Sequence, residues 1–275
     1  MTYGKIIAIA NQKGGVGKTT TTVNLAAALT LRNKKVLLVD FDPQGDSAKA
    51  LGFREPNQMK QTISNLMLEM IVSDECSYEN RIFHTEENFD LIPANEKLSN
   101  VEVTLGSISD KETVLKDVLE PLKEKYDFIL IDCKPSLGML TMNALTCANS
   151  VIIPSQSEYL SANGTFELLN RIQKTRNDSN PNLKVEGILI TMTDDRTTLS
   201  KQMREQIKSE YGKKFNVYSK TVPRRVSIAE SSAAGKTIFS YDPKCDGAEV
   251  YRIIAREVDL CAKKQIGKHR DTFSR

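Results

Sequence analysis

An apolar, β-branched run, Lys5–Asn11, leads straight into Lys13-Gly14-Gly15-Val16-Gly17-Lys18-Thr19-Thr20, and a helix-forming run from Thr21 to Leu31 follows. Strand, glycine loop and helix in that order constrain the chain more than anything else in it. Glycines let the backbone bend until successive N–H groups converge, and the helix N-terminus behind them adds a favourable dipole, a combination suited to phosphate oxygens. Lys18 would neutralise the outer phosphates of a nucleotide, and Thr19 would offer a hydroxyl to Mg2+. A ligand-free glycine turn is the plain alternative. A Gly-Lys-Thr that leaves a strand and opens a helix argues against it.

Further apolar runs lie at Lys35–Phe41, Phe89–Pro93, Phe128–Asp132, Ser150–Pro154, Val185–Thr191 and Phe215–Val222, mostly separated by segments of helical length. Several, such as Val36-Leu37-Leu38-Val39 and Phe128-Ile129-Leu130-Ile131, are apolar throughout and do not alternate, which suits parallel strands covered on both faces. The expectation is therefore α/β: one doubly wound, mainly parallel sheet flanked by helices, in a single domain spanning 1–275. The polar stretch 54–88 is expected to be a helical insertion, and 265–275 a flexible basic tail. A hydrophobic fraction of 40% is ample for a core. No apolar run approaches the roughly 18 residues needed to span a bilayer and no signal-peptide pattern opens the chain, so a cytoplasmic protein is expected. Five cysteines form no close pair and are expected to be reduced.

Two strand ends offer carboxylates. Asp132 closes the run Phe128–Ile131, where it would hold Mg2+; a strand-end cap is the plainer alternative. Asp40 and Asp42 close the second run two residues apart, so both can face one edge of the sheet.

The loop lacks glycine at the first position of the general pattern G-x-x-x-x-G-K-[ST], where Gln12 stands, and carries an extra lysine, Lys13. In this it resembles the deviant Walker A motif of the ParA/MinD group of P-loop ATPases, and Asn11–Thr20 resembles the Soj/ParA branch. Val39–Asp46, Asp132–Gly138, Thr193–Thr197, Tyr241-Asp242-Pro243 and Gly247–Tyr251 resemble the same family in order, so the likeness covers nearly the whole chain. It implies a P-loop NTPase fold and an ATPase using ATP and Mg2+. Lys13, Gly14, Gly15, Val16, Gly17, Lys18, Thr19 and Thr20 would bind nucleotide, and Pro223 and Arg224 would lie on the adenine side. Thr19 and Asp132 would serve the metal, Asp40 would support either the loop or the metal, and Asp42 would orient the attacking water. Lys18 would act on the phosphates of its own chain, and Lys13 would reach the phosphates of an opposite subunit in an ATP-bound homodimer. The chain departs from the family where Lys134 replaces a usual proline and Ser227 a frequent basic residue.

The formal charge of +3 hides an uneven distribution: Arg196–Arg225 holds nine Lys/Arg against two Glu, and Cys261–Arg275 five against one. A basic C-terminal third on an otherwise acidic chain suggests a polyanion surface, with a solvated helix face as the bland alternative. A helix over Thr198–Tyr211 would carry Leu199, Met203 and Ile207 on one stripe and Lys201, Arg204 and Lys208 on another, and Arg252, Arg256 and Lys263 form a second basic stripe. The resemblance implies non-specific binding of double-stranded DNA in the nucleoid, with Arg196 and Arg224 as contacts, and stimulation by a ParB-like partner. A MinD-like membrane regulator is the alternative function. It would need an amphipathic anchor, and Lys263–Arg275 offers only Ile266 and Phe273 as large apolar residues, so no membrane is expected. A redox ATPase with a cysteine-held cluster is less favoured, since Cys133 and Cys147 have an uncharacteristic spacing.

Overall fold

The computed structural model describes residues 4–156, 161–194 and 196–273, with backbone alone for 161–163 and 265–273. Strand β1 (Lys5–Ile9) runs through the glycine loop into helix α1 (Lys18–Thr30), and β2 (Val36–Phe41) follows, with the short α2 (Asp46–Ala50) after it. Helix α3 (Ile63–Ser73) then precedes β3 (Phe83–His84), β4 (Asp90–Ile92), α4 (Leu98–Leu105) and α5 (Val114–Leu119). The pairs β5 (Phe128–Cys133) with α6 (Met139–Cys147) and β6 (Ser150–Gln156) with α7 (Ser161–Asp178) lead to β7 (Lys184–Thr191). Helices α8 (Thr198–Tyr211), α9 (Val226–Ala233), α10 (Ile238–Tyr241) and α11 (Asp246–Phe273) complete the chain.

The sheet has seven strands in the order β3-β4-β2-β5-β1-β6-β7, all parallel except for the pairing of β3 with β4. This is the doubly wound α/β arrangement expected from the apolar runs. Successive side chains of one strand enter opposite cores, as an extended backbone requires. Ile6, Val39, Ile131 and Ile153 pack with α3–α7, whereas Ile7, Leu38, Leu130 and Ile152 pack with α1, α10 and α11. From β1 the chain winds first toward β2 and later toward β6, so the loop after β1 sits where the direction of winding reverses. In open parallel sheets that point, at the carboxyl ends of the strands, is where ligands bind.

One strand expectation needs correcting. Phe215–Val222 is not a strand of the sheet: it follows the outer edge of β7 through scattered backbone hydrogen bonds, with an isolated bridge of Ile188 with Val217 and, just past its end, one of Thr193 with Pro223. Tyr218 accounts for the break, because its buried ring packs against Gly187, where any Cβ would lie 2.7 Å from it. The seventh strand comes instead from the 54–88 segment, which is helical in α3 but ends in β3. Beyond Lys264 the backbone of α11 continues as helix to Phe273, across most of the residues expected as a flexible tail. Among the described residues no helix is long and apolar enough to cross a membrane.

Leu130 is fully buried in the central strand β5, between β1 and β2. Its replacement by alanine should leave a cavity costing about 2–5 kcal/mol, read as a lower denaturant midpoint at unchanged m-value.

Candidate functional site

The loop from Lys13 to Gly17 owes its shape to two glycines. Gly15 has φ 72° and Gly17 φ 83°, left-handed values that favour glycine. A Cβ at Gly14 or Gly15 would meet nothing within 4 Å, so the space above the loop is open. Gly17 caps α1 without any side-chain hydrogen bond, and the first turn holds no acidic residue. The first amides of α1 therefore have no anionic side chain of their own and face that space, a cradle that fits phosphate. Lys18 is 7% exposed, and its ammonium donates to the carbonyl of Lys13 at 3.1 Å. Burial lowers its pKa, against the opposing pull of Asp132, Cys133 and Asp42.

Asp132 gathers the loops of neighbouring strands. Its Oδ2 accepts from Thr19 Oγ1 at 2.7 Å and from Ser47 Oγ at 2.8 Å, while Thr22 Oγ1 lies 3.4 Å from Oδ1. Burial pushes this carboxyl up to about 6 against the pull of Thr19, Ser47 and Lys18. Asp40 is its direct neighbour in the β2–β5 register and is fully buried; burial first and Asp132 second raise it well above the ordinary carboxylate range. Both oxygens of Asp40 accept backbone amides, from Asp42 at 3.3 Å and Ala48 at 3.2 Å. That geometry favours loop support over metal ligation for Asp40. Asp42 sits higher on the same turn, accepts from the Gln44 amide at 3.0 Å, and is raised chiefly by burial.

Among the described residues no three His, Cys, Asp or Glu side chains cluster as a protein-only metal cage. Mg2+ does not need one, since it usually keeps several waters and binds through one or two side chains plus phosphate oxygens. Thr19 and Asp132, both oxygen donors in contact beside the open loop, fit that demand. Two carboxyl groups, Asp132 and Asp42, beside one lysine would also be relieved by a divalent cation.

Several residues escaped the sequence reading. Gln156, at the end of β6, donates to the Gly15 carbonyl at 2.8 Å and accepts from Lys13 Nζ at 3.1 Å. Thr191, at the end of β7, donates to the Val16 carbonyl at 2.9 Å. Asn11 donates to the Pro154 carbonyl at 2.7 Å and accepts from the Lys13 amide at 3.0 Å. A usable signal existed: each is a polar residue where an apolar parallel strand ends, the position that meets ligand. Pro223 and Arg224 reach this edge by pairing with Thr193, the Arg224 amide donating to its carbonyl at 2.9 Å.

The arginines proposed for DNA are on the outside but have acidic company. Arg196, with 90% of its side chain exposed, pairs with Asp194 at 2.9 Å. Arg225 pairs with Asp246 at 2.5 Å, next to the exposed Arg224. Arg252 lies 5.2 Å over the Phe239 ring and 3.3 Å from Glu249, and Arg256 is exposed. On α8, Lys201 and Lys208 are exposed and Arg204 is half-buried. The apolar stripe expected there is rotated: Ser200 and Ile207 are buried whereas Leu199 is 59% exposed, because Leu199 stands in the first turn behind the Thr197 cap. Asp195, part of the Thr193–Thr197 motif, lies outside the described residues. Cys133 and Cys147 are buried free thiols that burial pushes up, the opposite of what a thiolate ligand needs.

Comparison with known proteins decides the family. Residues 4–185 match the AAA_31 family model, described as an AAA domain. The chain is 45% identical to the sporulation initiation inhibitor protein Soj of Bacillus subtilis, over 93% of this chain and 98% of that protein. This chain belongs to the ParA/Soj family. It is also 42% identical to the chromosome partitioning protein ParA of Myxococcus xanthus, over 94% and 88% of the two chains. Among solved structures, cobyrinic acid a,c-diamide synthase from Mycobacterium smegmatis with a bound ATP analogue and magnesium superposes with TM-score 0.79 at 35% identity, covering 92% of this chain and 93% of that one. The ParA/Soj signature, Lys13 ahead of the glycines, is thus set in a complete nucleotide-type loop.

Gly14 and Gly17 should separate conformation from space. Gly17→Ala should cost about 1–2 kcal/mol in unfolding experiments through its left-handed backbone alone. Gly14→Ala, whose Cβ meets open space, should unfold like the parent yet lose nucleotide affinity by calorimetry.

Proposed function

We propose that the chain is a DNA partition ATPase: ATP with Mg2+ closes a homodimer that binds double-stranded DNA without sequence preference, and hydrolysis, stimulated by a ParB-like partner, releases it. The observation that carries this is the loop itself. An open cradle of amides at an uncapped helix N-terminus, with Lys18 buried behind it and Thr19 against Asp132, is equipped for a Mg2+-bound triphosphate.

In this reading Lys18 would bind the outer phosphates, and Thr19 and Asp132 would hold the metal. The metal would supply charge neutralisation at the transferring phosphoryl group. Asp42, at the mouth of the same crevice, orients the attacking water, while Asp40 keeps its turn in place. Hydrolysis of this kind needs positioning and charge more than covalent chemistry. Lys13 has its ammonium against Gln156, beside the cradle and not in it. A second lysine there suits the phosphates of a facing subunit, since Lys18 already serves its own.

For DNA, exposed Arg196, Arg224, Lys201, Lys208 and Arg256 offer phosphate-backbone contacts, with half-buried Arg204 and Arg252 at their margin. Such contacts carry no base readout.

The decisive experiment measures binding to arbitrary duplex DNA with ATP, with ADP and without nucleotide, across a salt series. Binding should need ATP and Mg2+, and fall with salt at a log–log slope of about −0.9 per phosphate neutralised. Equal binding without nucleotide, or indifference to salt, would refute the reading. Lys13→Ala should retain ATP binding while losing ATP-dependent dimerisation in light scattering.

A further inference from the structure

β2 and β5 run in parallel register, with Asp40 beside Asp132 and Phe41 beside Cys133 on the last rung. The next residue on one strand is Asp42 and on the other Lys134, so the two leave the sheet as neighbours, on strands about 4.8 Å apart. Lys134 nevertheless sends its ammonium the other way, to Glu102 Oε2 on α4 at 2.6 Å. Both side chains of that pair are about four-fifths buried, with 21% and 22% exposed. The other carboxylate oxygen of Glu102 reaches the Leu140 amide, in the first turn of α6, at 3.5 Å. Glu102 is also pressed close to Gly138, where a Cβ would lie 2.5 Å from its Oε1, so the carboxylate is fixed from two sides. A lysine on a flexible four-carbon stem therefore stands between two carboxylates, one anchored and engaged, the other at the mouth of the crevice. Its charge is already felt at Asp42, where it opposes the effect of burial.

We propose that Glu102 is a positioning residue for hydrolysis: it holds the Lys134 ammonium away from Asp42, and without it the ammonium closes on Asp42 and occupies the carboxylate that orients water. This rests on the reading of Asp42 given above.

The test compares Glu102→Gln, Lys134→Met and the double variant in steady-state ATP turnover, with ATP affinity by calorimetry and thermal melting alongside. Glu102→Gln should lower kcat by about tenfold with KM and ATP affinity within about twofold. Adding Lys134→Met should return kcat to that of Lys134→Met alone. A loss of kcat that persists in the double variant would overturn the proposal and make Glu102 merely a cap for α6; so would unchanged turnover in Glu102→Gln. Asp42→Asn serves as a separate control. If it hydrolyses ATP at the parent rate, the premise about Asp42 fails; if it is inactive while the double variant stays slow, only the restraint by Glu102 fails.

Discussion

One buried carboxylate organises the nucleotide end of the molecule. Asp132 takes hydroxyl hydrogen bonds from Thr19 on α1 and Ser47 on α2, so the helices after β1 and β2 are both tied to the end of β5. Removing it would leave the buried Ser47 hydroxyl and the half-buried Thr19 hydroxyl without an acceptor, and buried polar groups without partners are costly. Its own burial is costly too, as its upward-shifted pKa records. A fold that retains two adjacent carboxyl groups at full burial, Asp132 and Asp40, gives up stability at that point. Such local cost is the usual mark of a site shaped for a ligand.

The loop hangs from this point and from the opposite side of the sheet. Gln156 and Thr191 take the carbonyls of Gly15 and Val16, and Asn11 ties the Lys13 amide to the end of β6. With its carbonyls held outward, the loop leaves its amides for a ligand. Preorganisation of this sort removes most of the ordering cost that binding would otherwise incur.

Much of this was legible in the sequence, for identifiable reasons. A strand buried on both faces must be apolar throughout, and Phe128–Ile131 and Val36–Val39 could be recognised by that alone. The glycine loop was legible because conformation and charge requirements coincide in a few contiguous residues. The β3 strand was not, because two residues in a polar segment carry no periodicity. Phe215–Val222 misled for the opposite reason: its apolar residues do enter both cores, Phe215 and Val217 one and Tyr218 and Val222 the other, but Tyr218 packs against Gly187 and the segment builds no continuous ladder. Gln156 and Thr191 act through long-range hydrogen bonds, of 141 and 175 residues' separation, that only the sheet order brings about. The buried face of α8 was misjudged at Leu199 because periodicity gives a stripe but not which end of it the neighbouring elements cover.

The same sheet order connects the loop to the basic edge. Thr191 holds Val16, and two residues on, Thr193 exchanges backbone hydrogen bonds with Val222 and Arg224. The phosphate loop and the segment carrying Arg224 and Arg225 are therefore anchored to one short stretch of β7 and its exit. Around it the arginines are balanced, not bare: Arg196 by Asp194, Arg225 by Asp246, Arg252 by Glu249. Exposed pairs like these contribute little to stability, because solvent screens them and long side chains lose freedom to form them. Their effect is on the field. Each carboxylate lowers the positive potential of this edge without cancelling it, since Arg196–Arg225 still holds nine Lys/Arg against two Glu.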